Sequence, residues 1–219
     1  MRAVADAGFW QPGASASARD ALTGWRLVTP DGAEPGRLDA RDLLLWSAAG
    51  ECLEGRLPPP VDIAVPLRVY AAVPQAGAVV LARPPLVSVL ADEGLGVPPV
   101  SRRLAALGGG VRCTAYAPAG SEALARLVAE ALGRRRACLL GARGAAAHGS
   151  TPAGAAAALF LLERVGGAYA AVRLTGLRPR RLKADEMARA VRYAGGPLRP
   201  RGARERMRWE EAPWPDPAR

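Results

Sequence analysis

Gly77-Ala-Val-Val-Leu-Ala-Arg83, closed by Pro84-Pro85, is the stretch whose reading decides the fold. Ala78 to Leu81 run apolar without alternation, which marks a strand covered on both faces. Pro84-Pro85 then permits a helix to start toward Val89. Upstream, Pro58-Pro59-Pro60 forces an extended approach to a helix from about Asp62 to Ala72, with Pro66 near its first turn, where a missing N–H is tolerable. Short strands are predicted near Arg26–Thr29 and Leu43–Ser47, and Gly50 suits the hairpin turn before Cys52-Leu53.

Downstream signals point the same way. Ser121 opens a helix whose Leu124, Leu127, Val128, Ala131 and Leu132 form one apolar stripe, and Gly133 is a suitable terminator. Ala137–Leu140 reads as the next buried strand. Thr151 as N-cap and Pro152 at the first helical position start a long helix to about Arg173. Its Ala155–Leu162 segment is apolar all round, so other elements or a neighbouring subunit should enclose it, and Gly166-Gly167 is a place where it could weaken or kink. Together these elements give a sheet flanked by helices. Residues 1–24 are Gly/Ala/Ser-rich and read as a variable, partly mobile N-terminal segment before a domain spanning 25–176.

With 219 residues the chain can bury a substantial core as one unit. Alanine dominates many stretches, so helices can approach closely while the core gains little bulk. No uninterrupted apolar run of about 18 residues occurs, so no membrane span is expected. The opening Met1-Arg-Ala-Val-Ala-Asp-Ala-Gly-Phe-Trp10 lacks the apolar core and cleavage site of a signal peptide. Three widely spaced cysteines suit a reducing cytoplasm and read as small buried residues. A cytoplasmic protein is the expectation.

The extension 177–219 differs from the body. It holds twelve Arg/Lys against six Asp/Glu, so it carries +6 of the chain's +10. Arg178-Pro-Arg-Arg-Leu-Lys183 and Arg199-Pro-Arg201 through Arg208 form basic clusters that could meet nucleic acid or an acidic partner. No nucleic-acid fold or stacking motif accompanies the charge, which favours a solvated tail instead. Trp209 and Trp214, flanked by Glu210-Glu211 and prolines, read as a segment that packs on its own subunit or a neighbour.

The ordered blocks Arg26-Leu-Val-Thr-Pro30, Asp42-Leu-Leu-Leu-Trp46, Glu54-Gly-Arg-Leu-Pro58, Tyr70-Ala-Ala-Val-Pro74, Gly77-Ala-Val-Val80, Tyr116-Ala-Pro-Ala-Gly-Ser121 and Leu139-Leu140 with Arg143-Gly144 resemble the class II aldolase/adducin family. They line up with almost no gaps over about residues 13 to 175. The resemblance implies a three-layer α/β/α domain with a largely antiparallel central sheet. It also implies a homotetramer, since related enzymes form four-fold rings with the active site at a subunit boundary. A degenerate chain could instead join an active paralogue as a hetero-oligomer.

The same resemblance locates the chemistry and its departures. The family's metal-binding His-x-His falls on Leu81-Ala82-Arg83, and its later His-Gly falls on Arg143-Gly144. The acidic residue beside the metal falls on Asp62. Leucine has no lone pair to donate, and arginine stays protonated, so no catalytic metal or other cofactor is expected. The phosphate-binding segments fall on Ala14-Ser15-Ala16-Ser17, Asp31-Gly32 and Pro60-Val61; Pro60 lacks an N–H and Asp31 would repel an anion. The family's proton-donor tyrosine falls near Arg102. The chain's one histidine, His148, lies at the end of a strand or in the turn before the Ser150-Thr-Pro152 helix start; it has no ligand-like spacing to Cys52, Cys113 or Cys138 and reads as a histidine satisfied by water or backbone.

Two classes of function follow. One is a non-catalytic aldolase-like binding or assembly subunit, whose former active pocket holds Arg83, Arg143 and Arg102 with Asp62. That set would either grip a small carboxylate or phosphate or form an internal ion pair of Asp62 with Arg83 or Arg143. The other is a metal-free lyase or isomerase, or a residual sugar-phosphate aldolase, with Asp62 as base, the arginines as anion clamps and Tyr116 or His148 as proton donor.

Overall fold

A computed structural model describes residues 1–194. In chain order its strands are β1 (Ser15–Arg19), β2 (Arg26–Val28), β3 (Leu44–Trp46), β4 (Cys52–Glu54), β5 (Ala78–Ala82), β6 (Ala137–Leu140) and β7 (Gly144–Gly149). The helices are α1 (Arg2–Asp6), α2 (Ala64–Ala72), α3 (Pro85–Asp92), α4 (Glu122–Leu132), α5 (Pro152–Leu174) and α6 (Ala184–Tyr193). One sheet runs β4-β3-β2-β1-β5-β7-β6, and every neighbouring pair is antiparallel.

Successive residues of β5 point to opposite faces, so its unbroken apolar run feeds two cores. Val80 and Ala82 join Leu139, Ala145 and Ala147 against α3 and α5, with Val4 of α1 and Met187 of α6 completing that layer. Val79 and Leu81 join Cys138, Leu140 and Ala146 against α2 and α4. The result is a three-layer α/β/α class II aldolase-like fold with an antiparallel central sheet.

Local chemistry sets the helix starts. The Ser121 hydroxyl accepts from the Leu124 N–H at 3.1 Å and the Thr151 hydroxyl accepts from Gly154 at 3.1 Å, with Pro152 at the first turn of α5. Each bond satisfies one of the N–H groups that a helix start leaves without an intrahelical partner. Gly133 ends α4 with φ at 48°.

Several expectations are corrected. Residues 1–24 are not a variable appendage: β1 sits in the middle of the sheet, paired with both β2 and β5, and Val4 of α1 is fully buried. A boundary at 24/25 would cut through that sheet. Ala14-Ser-Ala-Ser-Ala18 lacks the bulky residues that usually announce a strand, yet small side chains suffice where Tyr70 packs over them: the Ser17 and Tyr70 hydroxyls share a hydrogen bond of 2.9 Å. Arg19 and Arg26 both lie over the Tyr70 ring, at 5.2 and 5.6 Å from its centroid.

Helix α5 is covered over most of its surface and leaves one exposed stripe, through Ala153, Ala157, Arg164 and Ala168. It has the length and hydropathy of a membrane span, with a mean hydropathy of 1.4, and half of that window is buried inside the fold. Gly166 and Gly167 lie within an unbroken helix, in close contact with Val87 and Leu86 of α3. A Cβ on Gly166 would lie 2.3 Å from Val87 Cγ1.

The basic extension also begins inside the fold. Leu182 N–H donates to Pro99 O at 2.8 Å, and α6 buries Met187 and Ala190. The basic run Arg199–Arg208 and the pair Trp209 and Trp214 lie outside the described residues.

Gly149 closes β7 directly beneath the start of α5, where an added Cβ would lie 2.5 Å from both Ala155 N and Gly154 C. Those are backbone atoms and cannot rotate away. Gly149→Ala should therefore lower the urea midpoint by an amount equivalent to about 1–3 kcal/mol with the slope unchanged.

Candidate functional site

The candidate site lies at one end of the sheet, where three turns converge. The first carries Asp62, in the turn just ahead of α2, where Val65 N–H donates to Asp62 O at 2.9 Å. Its carboxylate points inward with only 6% of the side chain exposed. One carboxylate oxygen accepts from Gly120 N–H at 2.7 Å, and the other accepts a short hydrogen bond from the Arg143 guanidinium.

Arg143 sits in the turn between β6 and β7. Arg143 N–H donates to Leu140 O at 2.9 Å, and Ala142 is forced to a φ of 58°, a left-handed conformation that disfavours a side chain. Gly144 follows with φ at 116°, and a Cβ there would lie 2.6 Å from Ala82 O and 3.0 Å from Arg83 Cα. The missing side chain of Gly144 is thus what lets the Arg143 turn approach the end of β5.

Arg83 is the first residue beyond β5, tied to the N-terminal segment by a 2.9 Å bond from its N–H to Phe9 O. Its guanidinium pairs with Asp92 at 3.1 Å, and both side chains are close to half exposed. Of the two ion pairs expected for Asp62, only that with Arg143 forms. Arg83 takes Asp92 because α3 turns back past it.

Between these turns lies a cavity of about 210 Å³ lined by Asp62, Leu81, Arg83, Leu140 and Arg143, with Gln11 to Ala14 on the near side. Arg102 and Tyr116 are not part of it. Arg102 begins a short 3-10 helix (Arg102–Leu107) whose Leu104 and Leu107 are buried while Arg102 itself faces solvent, and Tyr116 is 70% exposed.

Sequence reading missed Asp92, Glu163 and the part of the wall from Gln11 to Gly13. Glu163 lies within apolar α5, and its carboxylate accepts from Leu86 N–H at 2.8 Å and Val87 N–H at 3.0 Å. It thereby caps α3 just after Arg83 and fixes where β5 ends. A lone acid amid Leu161, Leu162 and Val165 was the available signal.

Of the two placements considered for His148, the end of a strand and the turn after it, the structure shows the first: it is the penultimate residue of β7. It is buried opposite Val79, and its Nε2 lies 3.0 Å from Arg135 O. A carbonyl can only accept, so Nε2 carries the proton, leaving Nδ1 buried without a partner. Burial and then the nearby Arg136 charge oppose protonation, outweighing the carbonyl contact, and hold the imidazole pKa below its ordinary 6.5. Four residues of β7 lie between Arg143 and His148, five steps or roughly 16 Å at strand spacing.

The residues present do not fit a catalytic metal. Among the described residues no three His, Cys, Asp or Glu side chains gather as a ligand set. The cavity wall offers one carboxylate, already engaged, beside two permanent cations that repel a third. Burial, followed by the Asp92 charge, pushes the Cys113 thiol up to about 11, and burial raises Cys138 as well. Both therefore stay protonated and are poor ligands or nucleophiles.

The sequence profile described as the class II aldolase and adducin N-terminal domain matches residues 3–169, and the chain belongs to that family. An L-fuculose 1-phosphate aldolase superposes with a TM-score of 0.84 over 88% of this chain and 91% of its own, at 23% identity, which speaks for the fold alone. The L-fuculose-1-phosphate aldolase of Thermus thermophilus is 28% identical over 81% of this chain and 93% of its own, with a TM-score of 0.66. YgbL from Escherichia coli is 27% identical over 86% and 92%, with a TM-score of 0.72. A search of curated proteins finds no match.

Two outcomes test this geometry. Arg143→Met strands a buried carboxylate and should cost about 2–3 kcal/mol, while adding Asp62→Asn should recover a large part of that loss in a double-mutant cycle read by urea unfolding. For His148, the unfolded chain takes up a proton below pH 6.5 that the folded chain refuses. Stability should therefore fall as pH drops from 6.5 toward the lower folded value, and His148→Gln should remove that part of the slope in melts across this range.

Proposed function

We propose that the chain is a non-catalytic class II aldolase-fold subunit, a binding or assembly protein whose former metal and phosphate sites no longer support aldol chemistry. The observation that carries this reading is the engagement of Asp62. A general base or metal ligand must present a free lone pair to its target. Each Asp62 oxygen accepts one hydrogen bond, from Gly120 N–H and from Arg143, and among the described residues no imidazole or second carboxylate lines the cavity to join its remaining lone pairs in a metal or acid–base set.

The resemblance supports the same reading from a second direction. Where the family's imidazoles stand, this chain has Leu81, Arg83 and Arg143, and its one histidine lies buried far along β7. Tyr116, considered for proton transfer, and Arg102, considered for anion binding, stand outside the cavity. The arginine-lined cavity remains open to a small anion, so binding is retained in this reading while turnover is lost.

Assembly belongs to the same proposal: a homotetramer, or a hetero-oligomer with an active paralogue. Leu86 and Val89 of α3 are 53% and 59% exposed, which favours burial against another subunit.

Elemental analysis of the purified full chain should find no stoichiometric zinc, manganese or iron, and incubation of fuculose 1-phosphate with the protein should release no aldehyde above background. Either a stoichiometric transition metal or aldehyde release would overturn the reading.

A further inference from the structure

Asp62, Arg83 and Arg143 line the cavity, so its wall carries a formal +1, with the half-exposed Asp92 held by Arg83 outside that lining. One monoanion neutralises that charge, whereas a phosphate dianion would exceed it and face the buried Asp62. No Ser, Thr or Tyr hydroxyl lines the cavity to share the load of a third oxygen. Arg143 spends one nitrogen on Asp62, and a guanidinium has five N–H donors arranged to meet a planar carboxylate. Among the described residues the Arg83 guanidinium is held by the half-exposed Asp92, a partner easily exchanged for a ligand. Leu81, Leu140 and Ala14 supply an apolar wall. The cavity, about 210 Å³, is of a size for a small ligand.

From this arrangement, and resting on the non-catalytic reading above, we infer that the cavity is a receptor for a small monocarboxylate, clamped at its head by Arg83 and Arg143 with its short carbon chain against Leu81 and Leu140. Ligand binding replaces Asp92 as the partner of Arg83.

The probes are lactate and butyrate against inorganic phosphate, measured on the full chain by calorimetric titration and thermal shift at low salt. Both carboxylates should bind and raise Tm, with phosphate at least about tenfold weaker. Arg83→Gln, a change at an exposed ion pair that leaves the fold intact, should weaken carboxylate binding about tenfold. Asp92→Asn, which frees Arg83, should tighten it about threefold. Phosphate binding as tightly as lactate, equal carboxylate affinity in the Arg83 variant, or no carboxylate binding up to about 10 mM would each overturn the inference. Those failures leave the non-catalytic reading standing, because that reading falls on bound metal or aldehyde release, neither of which these titrations read.

Discussion

Strand β7 is the constraint on which the rest depends. Gly144-Ala-Ala-Ala-His-Gly149 lies between β5 and β6, fully buried, and apart from His148 carries nothing larger than a methyl group. Its thinness lets α5 lie against the sheet, with the helix start resting on Gly149. At the other end, Gly144 lets the Arg143 turn touch the backbone of Ala82 and Arg83. One short strand of small residues thus sets both the packing distance of the long helix and the separation of the two arginines.

The site inherits its character from that closeness. Two permanent cations brought to one cavity need an anion, and Asp62 supplies one from the opposite layer, fixed by Gly120 as well as by Arg143. Because the pair is largely withdrawn from water, its attraction is little screened, but so is the cost of breaking it. Arg83 is different: with Asp92 it forms a solvent-screened pair that contributes little and holds loosely. In the proposed reading, a rigid cation and a loose one lining the same cavity serve binding rather than proton transfer.

The capping role of Glu163 shows how distant parts of the chain share this end of the fold. Its carboxylate fixes the first amides of α3, so a residue from the middle of α5 determines where the chain turns after Arg83. The close glycines Gly166 and Gly167 lie on the next turn of the same helix and let Leu86 and Val87 settle against it.

Much of the fold was legible in the residues alone. The apolar runs at Ala78–Leu81 and Ala137–Leu140, the caps Ser121, Gly133 and Thr151, and the helix-starting prolines act over a few residues, so local chemistry decides them. The absence of imidazoles from the cavity is likewise visible in a chain with a single histidine. Strands β1 and β7 were not legible, because Ala/Ser and Gly/Ala segments bury too little apolar surface of their own to announce themselves; their neighbours make them strands. The choice of Arg143 over Arg83 as partner of Asp62, and of Glu163 as the cap of α3, rests on contacts between residues 81 and 77 positions apart. Only the tertiary structure could decide those, since an ion pair forms where packing brings charges together, not where the sequence places them.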